Sequence, residues 1–350
     1  MKKKNLTIIA EIGVNHNGSM NVAKKLVKQA AKAGADYVKF QSFKAENLAT
    51  KNSTAAEYQT KFLGKKYTQY SMLKKYELSF RNHLELIKEC GRHKIKFLSS
   101  PFDLESIKLL IRLKLKTIKI PSGEINNVPY LRYLGRFNKN IILSTGMSNL
   151  KEINQAIKIL KLSGTAKKKI SILHCTSEYP TSFQNTNLDV IKNLKQKLKC
   201  KIGYSDHTIG SLASICAVNQ GAEIIEKHIT ISNSMLGPDH KSSLRVSKLS
   251  DFIKKIRSIN TLLGNSKKKP TIGEKKNSLH IRKSIFAKTK IARGDLLSSK
   301  NLITLRPGKY LSASNWDKVI NKRSKFDFLP GDPIKLRWRK KYLSLQVLEV

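Results

Sequence analysis

The sequence predicts a (β/α)8 barrel of the TIM type followed by a small β-rich domain. Three observations carry this expectation. Eight short apolar runs alternate with amphipathic stretches from residue 6 to about residue 262. A doubly wound sheet would bring a Gly-rich dinucleotide turn, and the sequence has none. Polar residues gather at the C-terminal end of all eight candidate strands, where a barrel of this kind builds its active site.

The candidate strands, in order, are Leu6–Ala10, Asp36–Gln41, Ile95–Ser99, Thr117–Ile120, Ile141–Ser144, Ile170–His174, Lys201–Tyr204 and Glu223–Lys227. Between them, helical periodicity and capping residues mark Val22–Ala33 closed by Gly34, and Phe80–Cys90 behind Ser79. They also mark Leu104–Leu113 behind Asp103 and Leu150–Leu160 behind Asn149. Residues 42–78 interrupt the rhythm with a long connection rich in Tyr, Lys and Gln, which is expected to lean over the barrel mouth. The run Gly264–Pro270, with three consecutive Lys, reads as the start of a linker over 264–279. Beyond it Ser284–Thr289 and Asn301–Leu305 read as strands separated by turns at Gly294 and at Pro307–Gly308. The expected organisation is a barrel over 1–263, the linker, and a small β domain over 280–350.

The formal charge of +44 would on its own suggest nucleic acid. Only 13 of the 68 basic residues are Arg, however, and the Lys are spread along the chain with no basic-aromatic or zinc-finger pattern. A solvated Lys-rich surface is the better reading, and no specific nucleic-acid partner is expected. No stretch approaches the roughly 18 apolar residues of a membrane helix. The run Leu6–Ala10 is too short for a signal-peptide core. Cys90, Cys175, Cys200 and Cys216 show no CxxC pairing, so a cytoplasmic location with free thiols is expected.

The polar residues at the strand ends define a candidate site. Glu11 ends the first strand, Lys39 and Gln41 the second, Ser99 and Ser100 the third, and Lys119 with Ser122 and Glu124 the fourth. Ser144 ends the fifth and His174 the sixth, with Tyr179 beyond. Ser205, Asp206 and His207 end the seventh, and Glu226 with His228 the eighth. An ammonium inside an apolar strand must meet an anion or lose its charge. For Lys39 and Lys119 that anion is Glu11 or Glu124 on the structural reading, and a bound phosphate or carboxylate beside the Ser hydroxyls on the functional one. His207 and His228, one βα unit apart with Glu11, Asp206 and Glu226 nearby, point to a divalent metal. His174 fits a core position equally well.

The segments AEIGVNHNGS (10–19), ADYVKFQSF (35–43), KIPSGE (119–124), HCTSEYPT (174–181), IGYSDHTIG (202–210), EKHIT (226–230) and GPDHKSSL (237–244) closely resemble the sialic acid synthase family. RKSIFAKTKIARGDLL with LRPG (282–308) resembles that family's C-terminal antifreeze-like (SAF) domain, a β-clip fold. The chain departs from the family at Ser177, Ile231 and Ser232, and KIPSGE is more legionaminate-like than neuraminate-like. The resemblance implies condensation of phosphoenolpyruvate with an N-acylated mannosamine to a nine-carbon acid and phosphate. The sugar would be N-acetylmannosamine or 2,4-diacetamido-2,4,6-trideoxymannose. It implies that Lys39, Ser100, Lys119, Ser122, Ser144 and Ser205 hold phosphoenolpyruvate, and that His207 and His228 bind a divalent metal, Mn2+ by preference with Mg2+ or Co2+ possible. Glu11, Gln41, Tyr179, Asp239 and Arg306 would serve the sugar, and Glu11 and Glu124 the chemistry. A domain-swapped homodimer is also implied, with the SAF domain completing the partner's site.

Two rival expectations differ in class. Lys119 could form a Schiff base with pyruvate in a metal-independent aldolase. Alternatively, the chain could bind anions or saccharides without catalysis, which leaves the His pair and the convergence of polar residues unexplained.

Overall fold

The computed structural model describes residues 6–51 and 68–336. It divides into two compact units, residues 1–264 and 265–350. The first unit alternates strands and helices: β1 (Thr7–Gly13), α1 (Met20–Ala33), β2 (Tyr37–Ser42), α2 (Ala45–Leu48), α3 (Gln69–Tyr76), α4 (Phe80–Arg92), β3 (Lys96–Pro101) and α5 (Leu104–Arg112). There follow β4 (Thr117–Ile120), α6 (Val128–Gly135), β5 (Asn140–Ser144), α7 (Leu150–Leu162), β6 (Ile170–Cys175), α8 (Asp189–Leu198), β7 (Lys201–Asp206), α9 (Leu212–Asn219), β8 (Ile224–Thr230), the two-residue β9 (Leu244–Arg245) and α10 (Val246–Leu263). All eight barrel strands are parallel and run β3-β2-β1-β8-β7-β6-β5-β4, with β9 added to β8; β3 and β4 lie side by side at the closing seam.

The helices begin where short polar side chains offer an acceptor to the first unpaired N–H groups. Ser19 caps α1, Asp103 caps α5, and capping boxes formed by Ser79 with Asn82 and by Asn149 with Glu152 open α4 and α7. Gly34, at φ 92°, ends α1 in the left-handed conformation.

Strand alternation produces two cores. Ile8, Ala10, Val38, Phe40, Ile118, Ile120, Ile202 and Ile225 face outward and pack against the helices. Ile9, Leu98, Ile142, Leu173 and Ile224 face inward and fill the barrel floor. Gly203 belongs to that floor: a Cβ there would stand 2.5 Å from the Ile224 carbonyl oxygen and 2.5 Å from Leu173 Cδ2, so only glycine leaves room for the two neighbours.

Several boundaries differ from the sequence reading. β1 continues past Ala10 to Gly13, because Glu11 still pairs in register with Lys39 on one side and His228 on the other. The connection after β2 contains α2 and α3, whose Met72, Leu73 and Tyr76 form a small core with Val14, Phe43 and Ala45. Residues 52–67 of that connection lie outside the described residues. The expected linker contains a helix, α11 (Ile272–Ile281), opened by a Thr271–Glu274 capping box and burying none of its side chains.

In the second unit β10 (Ser284–Ala287) and β11 (Leu302–Leu305) form an antiparallel pair, followed by a short helix, α12 (Trp316–Val319). Ile285, Ile291, Leu297, Leu302, Phe328 and Ile334 make a separate small core. Residues 337–350 of the expected β domain lie outside the described residues. Among the described residues the four cysteines are free, and no helix is long and apolar enough to cross a membrane.

Candidate active site

Above the apolar floor the inward positions turn polar. Two residues beyond Ile9 on β1 comes Glu11; two beyond Tyr37 on β2 comes Lys39, then Gln41. Ser100 follows Leu98, Ser144 follows Ile142, Cys175 follows Leu173, and Glu226 then His228 follow Ile224. With Lys119, Ser122, Ser205, His207, Tyr179 and Asp239 these residues line a cavity of about 320 Å3. Its outer wall is less polar, built from Val14, Leu48, Met72, Leu73 and Tyr76 of the β1 and β2 connections, Phe102 and Met147.

The deepest polar layer is ionic. Lys39 Nζ lies 2.8 Å from Glu11 Oε2 and 3.1 Å from Glu226 Oε1, and Lys119 Nζ reaches the same Glu226 oxygen at 3.1 Å. Ser205 Oγ donates to that oxygen as well, at 2.9 Å. Burial pulls the Lys39 ammonium down to about 7; Glu226 opposes the shift and Lys119 adds to it. Burial alone would raise Glu226, yet Lys119 and Lys39 together hold its carboxyl far below the ordinary range. Glu226 Oε2, Ser100 Oγ and Glu11 Oε1 are buried with no hydrogen-bond partner, so the layer has polar capacity to spare. Of the two anions that the structural reading named, Glu11 meets Lys39 and Glu124 meets neither lysine; the shared partner is Glu226, a pairing that strand alternation permits and that the sequence reading did not single out.

The two histidines stand on adjacent strands with ring centroids 5.7 Å apart. His207 Nδ1 donates to the Thr176 carbonyl at 2.6 Å, which leaves Nε2 as the lone-pair nitrogen, 3.3 Å from Ser205 Oγ. His228 Nδ1 is buried without a hydrogen-bond partner and lies 3.8 Å from Asp239 Oδ2. Burial lowers His207 to about 4 and His228 well below the ordinary imidazole value, so both rings are neutral at pH 7. Two neutral imidazoles, one with an unpartnered buried nitrogen, fit the donor set of a divalent metal. Among the described residues no group of three or more His, Cys, Asp or Glu converges, so water or substrate would have to supply the other positions. Tyr179 stacks on His207 at 4.1 Å and meets His228 edge-on at 5.8 Å.

Asp239 arrives on the loop after β8, which is tied to the β1 connection. Asn15 donates to Ser243 Oγ at 2.8 Å, and Ser243 Oγ donates to the Asp239 carbonyl at 2.6 Å. His240 contributes a 2.7 Å contact to Thr230 Oγ1. Burial raises the Asp239 carboxyl to about 6, with Lys39 opposing. Gly13, at φ 54°, lets β1 leave the sheet here; a Cβ would stand 2.8 Å from Glu11 Oε1.

Several expectations need correction or restriction. Asp206 points outward, one residue out of phase with Ser205 and His207, and pairs with Lys227 at 3.0 Å behind the site. Ser99 is likewise outward, within 2.7 Å of Ser42 Oγ, and His174 donates through Nε2 to the Thr186 carbonyl. Glu124 does not line the cavity: the 3-10 turn over Ser122–Glu124 carries it aside, where it accepts from Asn127 at 2.6 Å. Arg306 is an exposed residue of the second unit. Cys175 was not singled out, Ser177 was named only as a departure from the family, and the α3 residues were covered only by the expectation that the connection over 42–78 leans over the barrel mouth, where Met72, Leu73 and Tyr76 line the cavity. Strand alternation from Leu173 would have found Cys175, whereas nothing in the local sequence marks the α3 residues.

A model of the NeuB family matches residues 26–268, and a model of the SAF domain matches residues 282–336. The N,N'-diacetyllegionaminic acid synthase of Campylobacter jejuni is 47% identical over 319 residues, covering 91% of this chain and 96% of that protein. The N,N'-diacetyllegionaminic acid synthase of Legionella pneumophila is 41% identical over 326 residues, covering 93% and 92%. Among solved structures, the N-acetylneuraminic acid (sialic acid) synthetase of Leptospira borgpetersenii in complex with citrate superposes with a TM-score of 0.68. It is 30% identical, with 78% of this chain and 90% of that chain covered.

Proposed function

We propose a reaction for this chain, which belongs to the NeuB family and carries an SAF domain: the condensation of phosphoenolpyruvate with 2,4-diacetamido-2,4,6-trideoxymannose to N,N'-diacetyllegionaminic acid and phosphate. The names of the two relatives at 47% and 41% identity support the choice of sugar over N-acetylmannosamine. The observation that carries the reaction class is the pair of buried ammoniums, Lys39 and Lys119, sharing one Glu226 oxygen beneath the Ser100, Ser144 and Ser205 hydroxyls. Each ammonium has donors left for a dianion, and the hydroxyls supply more.

In this reading phosphoenolpyruvate lies across the ionic layer with its phosphate and carboxylate on Lys39, Lys119 and the serines. C3 forms the new bond to the sugar's open-chain aldehyde carbon. Water then adds its oxygen at C2 and gives up one proton, which ends on the former aldehyde oxygen; the resulting tetrahedral centre expels inorganic phosphate by C–O cleavage, the second water proton leaving with the phosphate as C2 becomes the ketone. A divalent cation, Mn2+ by preference, on His207 and His228 would supply Lewis acidity to the aldehyde oxygen. Glu11 and Asp239, beside the imidazoles, would take hydrogen bonds from the sugar's hydroxyls, and Tyr179 would pack against it. Arg306 would hold the N-acyl carbonyl across a head-to-tail homodimer, where a fixed fork of donors suits a carbonyl oxygen. The Schiff-base alternative needs a neutral amine, whereas Lys119 stands 3.1 Å from a carboxylate held ionised. Phosphate release on mixing phosphoenolpyruvate, Mn2+ and the sugar, and its loss in His207→Ala, tests the proposal.

A further inference from the structure

Behind the cavity, on the outward faces of β7 and β8, stands an ion pair that touches none of the reacting groups. Asp206 and Lys227 are partners in the strand register and are each 1% exposed. Their neighbours on the same faces, Ile202, Tyr204, Ile225 and Ile229, are apolar. Asp206 Oδ1 accepts from the Thr208 N–H at 2.9 Å and from Thr208 Oγ1 at 2.8 Å, and Oδ2 accepts from Ser214. Lys227 donates to the Thr208 carbonyl. The backbone turn that begins at His207 is therefore wrapped around Asp206 and fastened by Lys227 to β8. Each member of the pair immediately precedes one of the two cavity histidines in sequence, so the same backbone that the pair fixes outside aims an imidazole inside.

Desolvating two charges takes back about as much free energy as their attraction returns, so such a pair is a poor device for stability and a good one for fixing a geometry. We propose that Asp206 and Lys227 are positioning residues that set the separation and aim of His207 and His228 for a divalent cation. This rests on the metal reading given above.

The test is Mn2+ affinity of the metal-free full chain, measured by electron paramagnetic resonance, alongside thermal melting. Asp206→Asn with Lys227→Met removes the pair while keeping its shape. Ser214→Ala removes a contact to Asp206 and leaves the pair, which makes it the control for a merely structural role. The expected result is an Mn2+ affinity lowered about 10–100-fold in the double variant, as for other groups that orient metal ligands. Ser214→Ala should stay within about twofold of wild type, with melting temperatures of both variants within about 5 °C of wild type. Wild-type affinity in the double variant, or an equal loss in Ser214→Ala, overturns the inference and leaves the metal reading standing. Absence of Mn2+ binding by the wild-type protein overturns the metal reading and the inference with it. If the methionine variant does not fold, Asp206→Asn with Lys227→Gln replaces it under the same criteria.

Discussion

Lys39 Nζ stands 3.1 Å from Glu226 Oε1, and Lys119 reaches that same oxygen at the same distance. One carboxylate oxygen thus gathers two ammoniums at the bottom of the cavity, and Glu11 takes the remaining charge at 2.8 Å from Lys39. Removing any member leaves a buried charge in excess, and a small anion is the natural replacement for a missing carboxylate.

Glu226→Gln should therefore lower stability by roughly 3–5 kcal/mol, the usual effect of breaking a buried pair from one side. Inorganic phosphate should raise its melting temperature more than it raises that of the wild-type protein. Thermal melts with and without phosphate check this; equal phosphate shifts in the two proteins would place the anion elsewhere.

Lys39→Met and Lys119→Met keep most of the apolar stem and delete the charge. Each should weaken phosphoenolpyruvate binding by about 1.5–3 kcal/mol, the magnitude of a hydrogen bond to a charged group. Calorimetric titration of each variant measures it directly, and unchanged binding in both would make the lysines purely structural.

Because burial brings Lys39 to about 7, its ammonium is full below that pH and lost above it. Binding a dianion above pH 7 then requires taking up a proton, so affinity should fall by up to about tenfold per pH unit from 7 upward. Folding stability carries the opposite sign: between about 7 and the ordinary lysine value of 10.5 the unfolded chain binds more protons at this position, so that contribution rises with pH. Lys39→Arg stays charged and should bind phosphoenolpyruvate with a flat profile from pH 7 to about 9. A flat profile in the wild-type protein would count against a titrating Lys39.

Most of the barrel was legible because its strands are apolar on both faces and its helices carry capping residues such as Ser79 and Asn149. The site was legible where a polar residue interrupts an apolar strand, as Lys39, Lys119 and Glu226 do. Asp206 was misread because it is as polar as its neighbours, and only the two-residue alternation places it on the far side of the strand. Helix α11 gave no periodic signal because it buries none of its side chains, although Thr271 and Glu274 cap it. The α3 wall of the cavity was legible as a connection over the barrel mouth but not residue by residue, for a related reason: Met72, Leu73 and Tyr76 pack against Val14, Phe43 and Ala45, partners that only the tertiary fold supplies.

Arg306→Ala should raise the sugar's KM with little change in phosphoenolpyruvate binding. Mixed with His207→Ala under conditions of subunit exchange, it should regain activity, because a mixed dimer holds one intact barrel site together with one intact Arg306. Steady-state kinetics of the mixture read this out, and failure of complementation despite exchange would confine Arg306 to its own chain.

The central claim is tested most directly by supplying phosphoenolpyruvate and Mn2+ with either 2,4-diacetamido-2,4,6-trideoxymannose or N-acetylmannosamine, following phosphate release and identifying the acid by mass spectrometry. The expected result is phosphate in step with a nine-carbon diacetamido acid, faster than with N-acetylmannosamine, and abolished by chelation. No phosphate from either sugar, or turnover of pyruvate without metal and with borohydride trapping of Lys119, would contradict it.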